Sequence, residues 1–323
     1  MGARIIQRQQ IIGRNGFTNQ SMKLVIGAAR MRRYLMTLAS CVNELESFGI
    51  EIDELEHLIS HAFQEDMPEG DDKTTIATID ANQTSRAHMR ARKDGVLAGV
   101  CVAALVFEKV GLTTKFSKAC GDKVKANESI LSIEGNTRDI LRSERIALNF
   151  ISHLSGIATL TSKWVDVIAG TGATVRDTRK TTPGLRKLEK FAVYMGGGEN
   201  HRMNLSDGAI IKDNHIAASG SITEAVKRVR TQFPGMPVEV EVDDLTQLRE
   251  ALSAKAEVIL LDNMNLELTK QAIEIATGSN SKLESSGGLT LDTARAYAAT
   301  GVNYLAVGAL THSAPILDIG LDF

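Results

Sequence analysis

The chain has 323 residues, 43% hydrophobic and 24% charged, with a formal net charge of -2; this length suits one large or two ordinary domains, and the balance gives no bulk basic field for nucleic acid. Three cysteines, Cys41, Cys101 and Cys120, lack CxxC spacing, which argues against a disulfide framework and suits a reducing compartment. No run approaches the ~20 apolar residues of a membrane span, so no membrane partner and a cytoplasmic location are expected.

Residues 1–43 carry basic side chains and no acid. Such a stretch suits an organelle-targeting leader, a basic helical extension, or an upstream start with Met22, Met31 or Met36 as the true beginning. LVIGAA is cut short by RMRR and makes no secretory core, so the reading is a basic N-terminal extension. Residues 45–63 read as a helix, with Leu55, Leu58 and Ile59 on its apolar side. EDMPEGDDKTT is polar and turn-rich, a loop. Residues 74–133 change to short alternating stretches, TIATID, SRAHMRARKDGVLAGV, KFSKACGDKV and SILSIEG, which suggest strands and turns, with ALVFEKVG as a short helix. Residues 136–169 form a long helical pattern in which Ile140, Ala147, Ile151, Leu154 and Ala158 share a face. Arg145 lies beside that face, and the plain account of it is a snorkelling side chain with a local partner.

From Gly172 the rhythm alternates. ATVRDTRK, GAIIKDNH, PVEVEVDD, AEVILLDN, SKLESSGG and YLAVGAL are short aliphatic runs, with helical patterns such as SITEAVKRVRTQF, LTQLREALSA, NLELTKQAIEIA and LDTARAYAATG between several of them. Strands alternating with helices imply a parallel sheet with right-handed crossovers. Each run ends in polar or glycine residues, and reactive groups collected at many strand ends mark the active face of a βα barrel. A doubly wound open sheet, which gathers its groups at one crevice, is the competing architecture.

Arg179, Lys180, His201, Arg202 and Lys212 place cations on that rim, costly to confine unless an anion belongs there. Arginine holds a carboxylate or phosphate through two parallel hydrogen bonds, and lysine acts as a point charge. Glu241 and Asp262 add carboxylates suited to sugar hydroxyls or a hard cation such as Mg²⁺. SSGG, with Ser286, Gly287 and Gly288, precedes a helix and exposes backbone N–H groups to a phosphate. VGALTHS, with Val307, Gly308 and Ala309, matches the late-strand phosphate site of many barrels. Lys187 and Lys190 read as solvating a helix face, and His57, His61 and His88 as surface or structural residues. There is no HExxH and no Cys/His ligand cluster for zinc.

SERIALNFISHLSGIAT, RDTRKTTPGLR, KFAVYMGGGENHRMNLSDGAIIKDNH, EVEVDDL, ILLDN, ESSGG and AVGALTHS occur in an order that resembles the nicotinate-nucleotide pyrophosphorylase (carboxylating), or quinolinate phosphoribosyltransferase, family. EDMPEGDDKTT resembles that family's early GD-x-TT segment. The likeness runs from about Asp66 to the C-terminus and leaves the basic extension outside. It implies transfer of phosphoribosyl from phosphoribosyl pyrophosphate to quinolinate with loss of CO₂, giving nicotinate mononucleotide and pyrophosphate in NAD biosynthesis, with Mg²⁺. It also implies an α/β sandwich, residues 44–147 with 305–323, beside an incomplete parallel βα barrel, residues 148–304, in a homodimer or higher oligomer whose sites are shared between subunits. By similarity Arg145 reaches the neighbouring subunit's site. Thr178, Arg179, His201, Arg202 and Lys212 match quinolinate-binding positions, with Lys180 completing the TRK segment. Glu241 and Asp262 match residues that meet the ribose hydroxyls and the metal, directly or through water. Ser286, Gly287, Gly288, Val307, Gly308 and Ala309 match the 5′-phosphate loops.

A sister activity on the same scaffold, such as the branch associated with molybdenum transport, is the near rival, and the crowd of cations favours a dicarboxylate. GDKVKANESILSIEG resembles a biotinyl or lipoyl hairpin, which makes a carrier module the rival from another class. A basic-patch nucleic-acid binder would betray itself by a steep salt dependence.

Overall fold

The computed structural model describes residues 36–323, so residues 1–35 of the expected extension lie outside the described residues. From Leu38 on, that extension is helical. α1 (Leu38–Ser47) starts from Thr37, whose hydroxyl accepts from the Ser40 amide while Ser40 returns the bond. The single helix expected over residues 45–63 is two. Gly49 takes φ +88, the Ile50 amide donates to the Leu45 carbonyl at 3.0 Å, and α2 (Ile52–Asp66) then begins. A left-handed glycine ends a helix without a Cβ clash. The apolar spacing bridges the break because Leu45, Leu55 and Ile59 are all buried. The loop expected after Asp66 becomes helix at α3 (Lys73–Thr78), because the Asp72 carboxylate accepts from the amides of Thr74 at 2.9 Å and Thr75 at 3.3 Å. TIATID is therefore mostly helix, not strand.

Next come β1 (Thr84–Ala91), β2 (Gly95–Val96), α4 (Val100–Glu108), β3 (Thr113–Phe116), β4 (Lys123–Val124), β5 (Ser129–Asn136) and α5 (Thr137–Val167). The remainder alternates: β6 (Thr174–Arg176), α6 (Arg186–Met195), β7 (Ala209–Ile211), α7 (Asp213–Ser219), α8 (Ile222–Gln232), β8 (Val238–Val242) and α9 (Leu245–Ser253). It closes with β9 (Val258–Asp262), α10 (Leu266–Ala276), β10 (Lys282–Ser286), α11 (Leu291–Ala298), β11 (Tyr304–Ala306), α12 (Ala309–His312) and β12 (Ile319–Asp322).

Six parallel strands pair in the order β6-β11-β10-β9-β8-β7. Strands β7 to β11 follow each other without reversal and β6 closes on β11, which is barrel winding rather than a doubly wound sheet. Beyond β6, Glu199 bridges Arg176 in parallel. Among the described residues no backbone ladder joins that segment to β7, so the barrel is incomplete. A second sheet, β12-β1-β5-β3, is antiparallel and draws the C-terminal strand back to β1, with Ala91 opposite Ile319. Positions 147/148 and 304/305, expected as boundaries, fall inside α5 and β11. No helix of the described residues is long and apolar enough to cross a membrane.

Hydrogen bonds tie α5 to β2 and the residues after it, and to the segment before β12. Ser155 Oγ accepts from the Ala98 amide at 3.0 Å and donates to its carbonyl at 2.9 Å, and Thr159 Oγ1 accepts from the Val96 amide at 2.9 Å. The Leu317 amide donates to Ser152 O at 3.0 Å. A Cβ on Gly156 would fall on the Pro315 carbonyl oxygen. Cys41 on α1 and Cys101 on α4 are disulfide-bonded, with Cα atoms 5.2 Å apart, and Cys120 is free. This corrects the reading against disulfides: the half-cystines are 60 residues apart and meet only because two helices pack.

Gly156→Ala is expected to lower the unfolding free energy by about 1–3 kcal/mol through overpacking. Urea titration would show a lower midpoint at unchanged slope; an unmoved midpoint would mean that the segment at Pro315 yields freely.

Candidate active site

Strand register builds the rim. Arg176 pairs with Ala306, Ala306 with Ser286, and Ser286 with Asp262. Four strand ends thus stand at one level, and residues 177–180, 307–309, 287–288 and Asn263 leave them on the same face. Farther round, Ile211 pairs with Val240, which sets Lys212 beside Glu241.

On one part of the rim the expected phosphate elements meet. Thr178 Oγ1 accepts from the Lys180 amide at 3.0 Å, and Thr311 Oγ1 donates to the Lys180 carbonyl at 2.8 Å. The Lys180 side chain passes Gly308 so closely that a Cβ there would lie 3.0 Å from Lys180 Cδ. Val307, Gly308 and Ala309 are therefore brought to Lys180. Gly287, at φ +87, leaves room for Asn263, where a Cβ would collide. Asn263 donates its amide N–H to Ser286 O at 2.9 Å and its side-chain N–H to Asp262 Oδ2 at 2.8 Å. Asp262, Ser286, Gly287 and Gly288 are one connected unit.

The other part holds the cations. Arg202 Nη1 donates to Gly208 O at 2.6 Å, across the open side of the barrel. The Nε groups of Arg179 and Arg202 are buried without an acceptor. Burial, and then the neighbouring Arg179 charge, push the Arg202 pKa down. The Lys212 ammonium donates to Glu241. His201 departs from expectation. Its Nδ1 accepts from the Arg202 amide at 2.7 Å and its Nε2 lies 2.8 Å from Glu239 Oε2, so both ring nitrogens are engaged inside the protein. Arg145 is exposed on α5 and makes no hydrogen bond or ion pair among the described residues. The local partner that would make it an ordinary snorkelling arginine is not seen there, although its charge acts on adjacent Glu144.

Beneath the rim lie charged residues that the sequence reading passed over. Lys190, expected to be solvated, is fully buried and paired with Asp177. The Lys190 ammonium also donates to His201 O at 3.0 Å, while Asp177 accepts from the His201 amide at 2.9 Å and from the Asn200 side chain at 2.5 Å. The pair therefore positions residues 200–202. Burial pushes the Asp177 pKa up and the Lys190 pKa down, each against the pull of the other. Arg176 Nη1 donates to Glu284 Oε2 at 2.6 Å and stacks over Tyr304 with its guanidinium carbon 4.4 Å from the ring centre. Glu284 has no exposed side-chain surface, and burial raises its pKa in spite of Arg176. For Glu239 the available signal was parity: it alternates with the buried Val238, Val240 and Val242, so it lies on the opposite face of β8.

Residues 72–155 match the family described as quinolinate phosphoribosyl transferase, N-terminal domain, and residues 157–322 match its C-terminal domain. Nicotinate-nucleotide pyrophosphorylase [carboxylating] of Mycobacterium leprae is 48% identical over 278 residues, 84% of this chain and 98% of that protein. A probable enzyme of the same name from Bacillus subtilis is 43% identical over 83% of this chain and 93% of its own length. The solved structure of NadC from Streptococcus pyogenes superposes with a TM-score of 0.81 at 39% identity, covering 84% of this chain and 97% of that one.

Lys190→Met would leave Asp177 as an uncompensated buried carboxylate, and about 3–5 kcal/mol of stability should be lost. The double variant Asp177→Asn/Lys190→Met should lose less than the sum of the single losses in chemical denaturation. Strict additivity would mean the two charges do not act as a pair.

Proposed function

The chain belongs to the quinolinate phosphoribosyltransferase family, and we infer that it transfers phosphoribosyl from phosphoribosyl pyrophosphate to quinolinate, releasing pyrophosphate and CO₂ and forming nicotinate mononucleotide for NAD biosynthesis. One observation carries the reading: Arg179 and Arg202 lie close enough for one charge to depress the other's pKa, and each holds a buried Nε with no protein acceptor. Like charges with orphaned donors are costly unless an anion completes them. Quinolinate brings two adjacent carboxylates, and charge-assisted bonds from Arg179, Arg202 and Lys212 offset their repulsion and orient the ring nitrogen toward the ribose carbon. Lys180 with Val307, Gly308 and Ala309, and Ser286 with Gly287 and Gly288, receive the phosphates. Glu241 and Asp262 meet the ribose hydroxyls. Their hard oxygens also suit Mg²⁺, which when bound neutralises charge on the departing pyrophosphate. The new bond makes the ring nitrogen positive, so it accepts the electron pair released as the 2-carboxylate leaves. No covalent enzyme intermediate is required.

The same proposal includes a homodimer or higher oligomer in which Arg145 enters the neighbouring site, a reading supported by its exposure and lack of a partner within the described chain. It also includes a cytoplasmic enzyme and a division into sandwich and barrel, with α5 common to both units.

Quinolinate labelled in its 2-carboxylate should release labelled CO₂ only when phosphoribosyl pyrophosphate is present; no release would overturn the reading. Arg179→Ala should weaken quinolinate binding by about 1.5–3 kcal/mol, the worth of a hydrogen bond to a charged group, with little change for the sugar phosphate in titration calorimetry. Mixing inactive Arg145→Ala and Lys180→Ala chains should restore part of the activity. Well-exchanged mixtures that stay inactive would remove the shared site.

A further inference from the structure

Away from the rim, three cysteines meet although they lie far apart in the chain. Cys41 on α1 and Cys101 at the start of α4 are fully buried and joined as a disulfide. Cys120, on the loop between β3 and β4, is the free thiol. Its sulfur faces the first turn of α4, where the amides of Gly99, Val100 and Cys101 donate to it. Glu44 stands three residues after Cys41, on the same side of α1. A carboxylate oxygen of Glu44 and the sulfurs of Cys101 and Cys120 lie within 4.8 Å of one another. Glu44 Oε2 is 3.5 Å from Cys101 Sγ, which as a half-cystine has no proton to share with it. Burial, and then the Glu44 charge, push the Cys120 pKa up to about 12. Electron-rich groups are gathered here, the converse of the crowded arginines on the rim.

We propose that Cys41, Cys101, Cys120 and Glu44 form a redox-gated zinc site. A dithiol opens the Cys41–Cys101 disulfide, itself becoming a disulfide and leaving two protein thiols. Cys41, Cys101 and Cys120 then release their three protons and hold one Zn²⁺ together with the Glu44 carboxylate. Three sulfurs and one oxygen make a tetrahedral set, at about 2.3 Å for sulfur and about 2.0–2.2 Å for oxygen. Sulfurs at that distance from a common centre stand about 3.8 Å apart. Cα atoms of Cys41 and Cys101 that are 5.2 Å apart allow this spacing by side-chain rotation. The loop that carries Cys120 is already fixed: the Gly121 amide donates to Leu97 O at 2.7 Å and the Leu97 amide to Asp122 O at 3.0 Å. The excess negative charge around the ion is offset by the three amides and the N-terminus of α4. Thiolates do not suit Mg²⁺, so the site differs in kind from the carboxylates Glu241 and Asp262. Sequence spacing gave no ligand cluster because the donors come from α1, α4 and a loop. Disulfide and metal are then alternative clasps of α1 onto α4.

This inference is independent of the proposed function. The full chain is reduced with a dithiol, desalted without oxygen and titrated with Co²⁺ alone. One equivalent should bind with the intense visible bands of a tetrahedral ion and a thiolate-to-metal band in the near ultraviolet, and Zn²⁺ should displace it. Co²⁺ held by the rim carboxylates would show neither feature. The oxidised chain should give no thiolate band. Cys120→Ser, which leaves the disulfide pair intact, should bind Co²⁺ about a hundredfold more weakly once reduced, at least the loss that an outer-sphere partner causes. Glu44→Gln should keep the thiolate band and bind more weakly. Zinc-edge X-ray absorption of the reduced, zinc-loaded wild type should show three sulfurs and one oxygen around the ion, and it decides the matter if a variant does not fold. A reduced wild type without the thiolate band, a Cys120→Ser or Glu44→Gln chain that binds as tightly as wild type, or a zinc shell with fewer than three sulfurs would each overturn the site.

Discussion

Strand parity governs this barrel. A strand has two faces, and a slip of one residue exchanges them. With Ser286 opposite Asp262 and Ala306, Glu284 points to Arg176 and His201 inside the barrel. Slip β10 by one position and Leu283 and Ser285 would face the interior while Glu284 met the helices. Both carboxylates on β8 depend on the same alternation. The level rim and the buried acids are consequences of one pairing scheme.

That scheme requires charge to be kept out of water. Arg176–Glu284 and Lys190–Asp177 are both nearly or wholly buried, and such pairs are weak sources of stability because desolvation cancels much of their attraction. Their role here is geometric. Asp177 and Lys190 together take up the amide and carbonyl of His201, and so hold a loop that no regular ladder fixes. An apolar pair would fill the volume and leave that backbone unbound.

The sequence disclosed most of what is periodic. The six strands, their intervening helices and the polar residues at their ends were legible because aliphatic runs of fixed length alternate with 3.6-residue patterns. The rim residues Arg179, Lys180, Lys212, Glu241 and Asp262 followed from position alone. What escaped was non-periodic or non-local. Gly49 divides a helix without disturbing the spacing of Leu45 and Leu55. Asp72 starts a helix inside an apparently loop-like string. Cys41 meets Cys101 only in the fold. Lys190 was misplaced because a lysine on a charged helix is normally solvated, and its partner Asp177 lies on another element. His201 looked like one more cation on the rim, and only the fold shows its two ring nitrogens meeting the Arg202 amide and Glu239.

The open side of the barrel has a consequence of its own. A closed barrel has no edge, whereas among the described residues β7 presents one flank to no other strand. Free strand edges invite pairing with other molecules. This one extends for only three residues before Lys212 turns the chain into α7, and Arg202 already occupies the carbonyl of Gly208 at its start. So short and partly capped a border is a poor template for fibre growth, and the seam can stay unzipped without becoming adhesive.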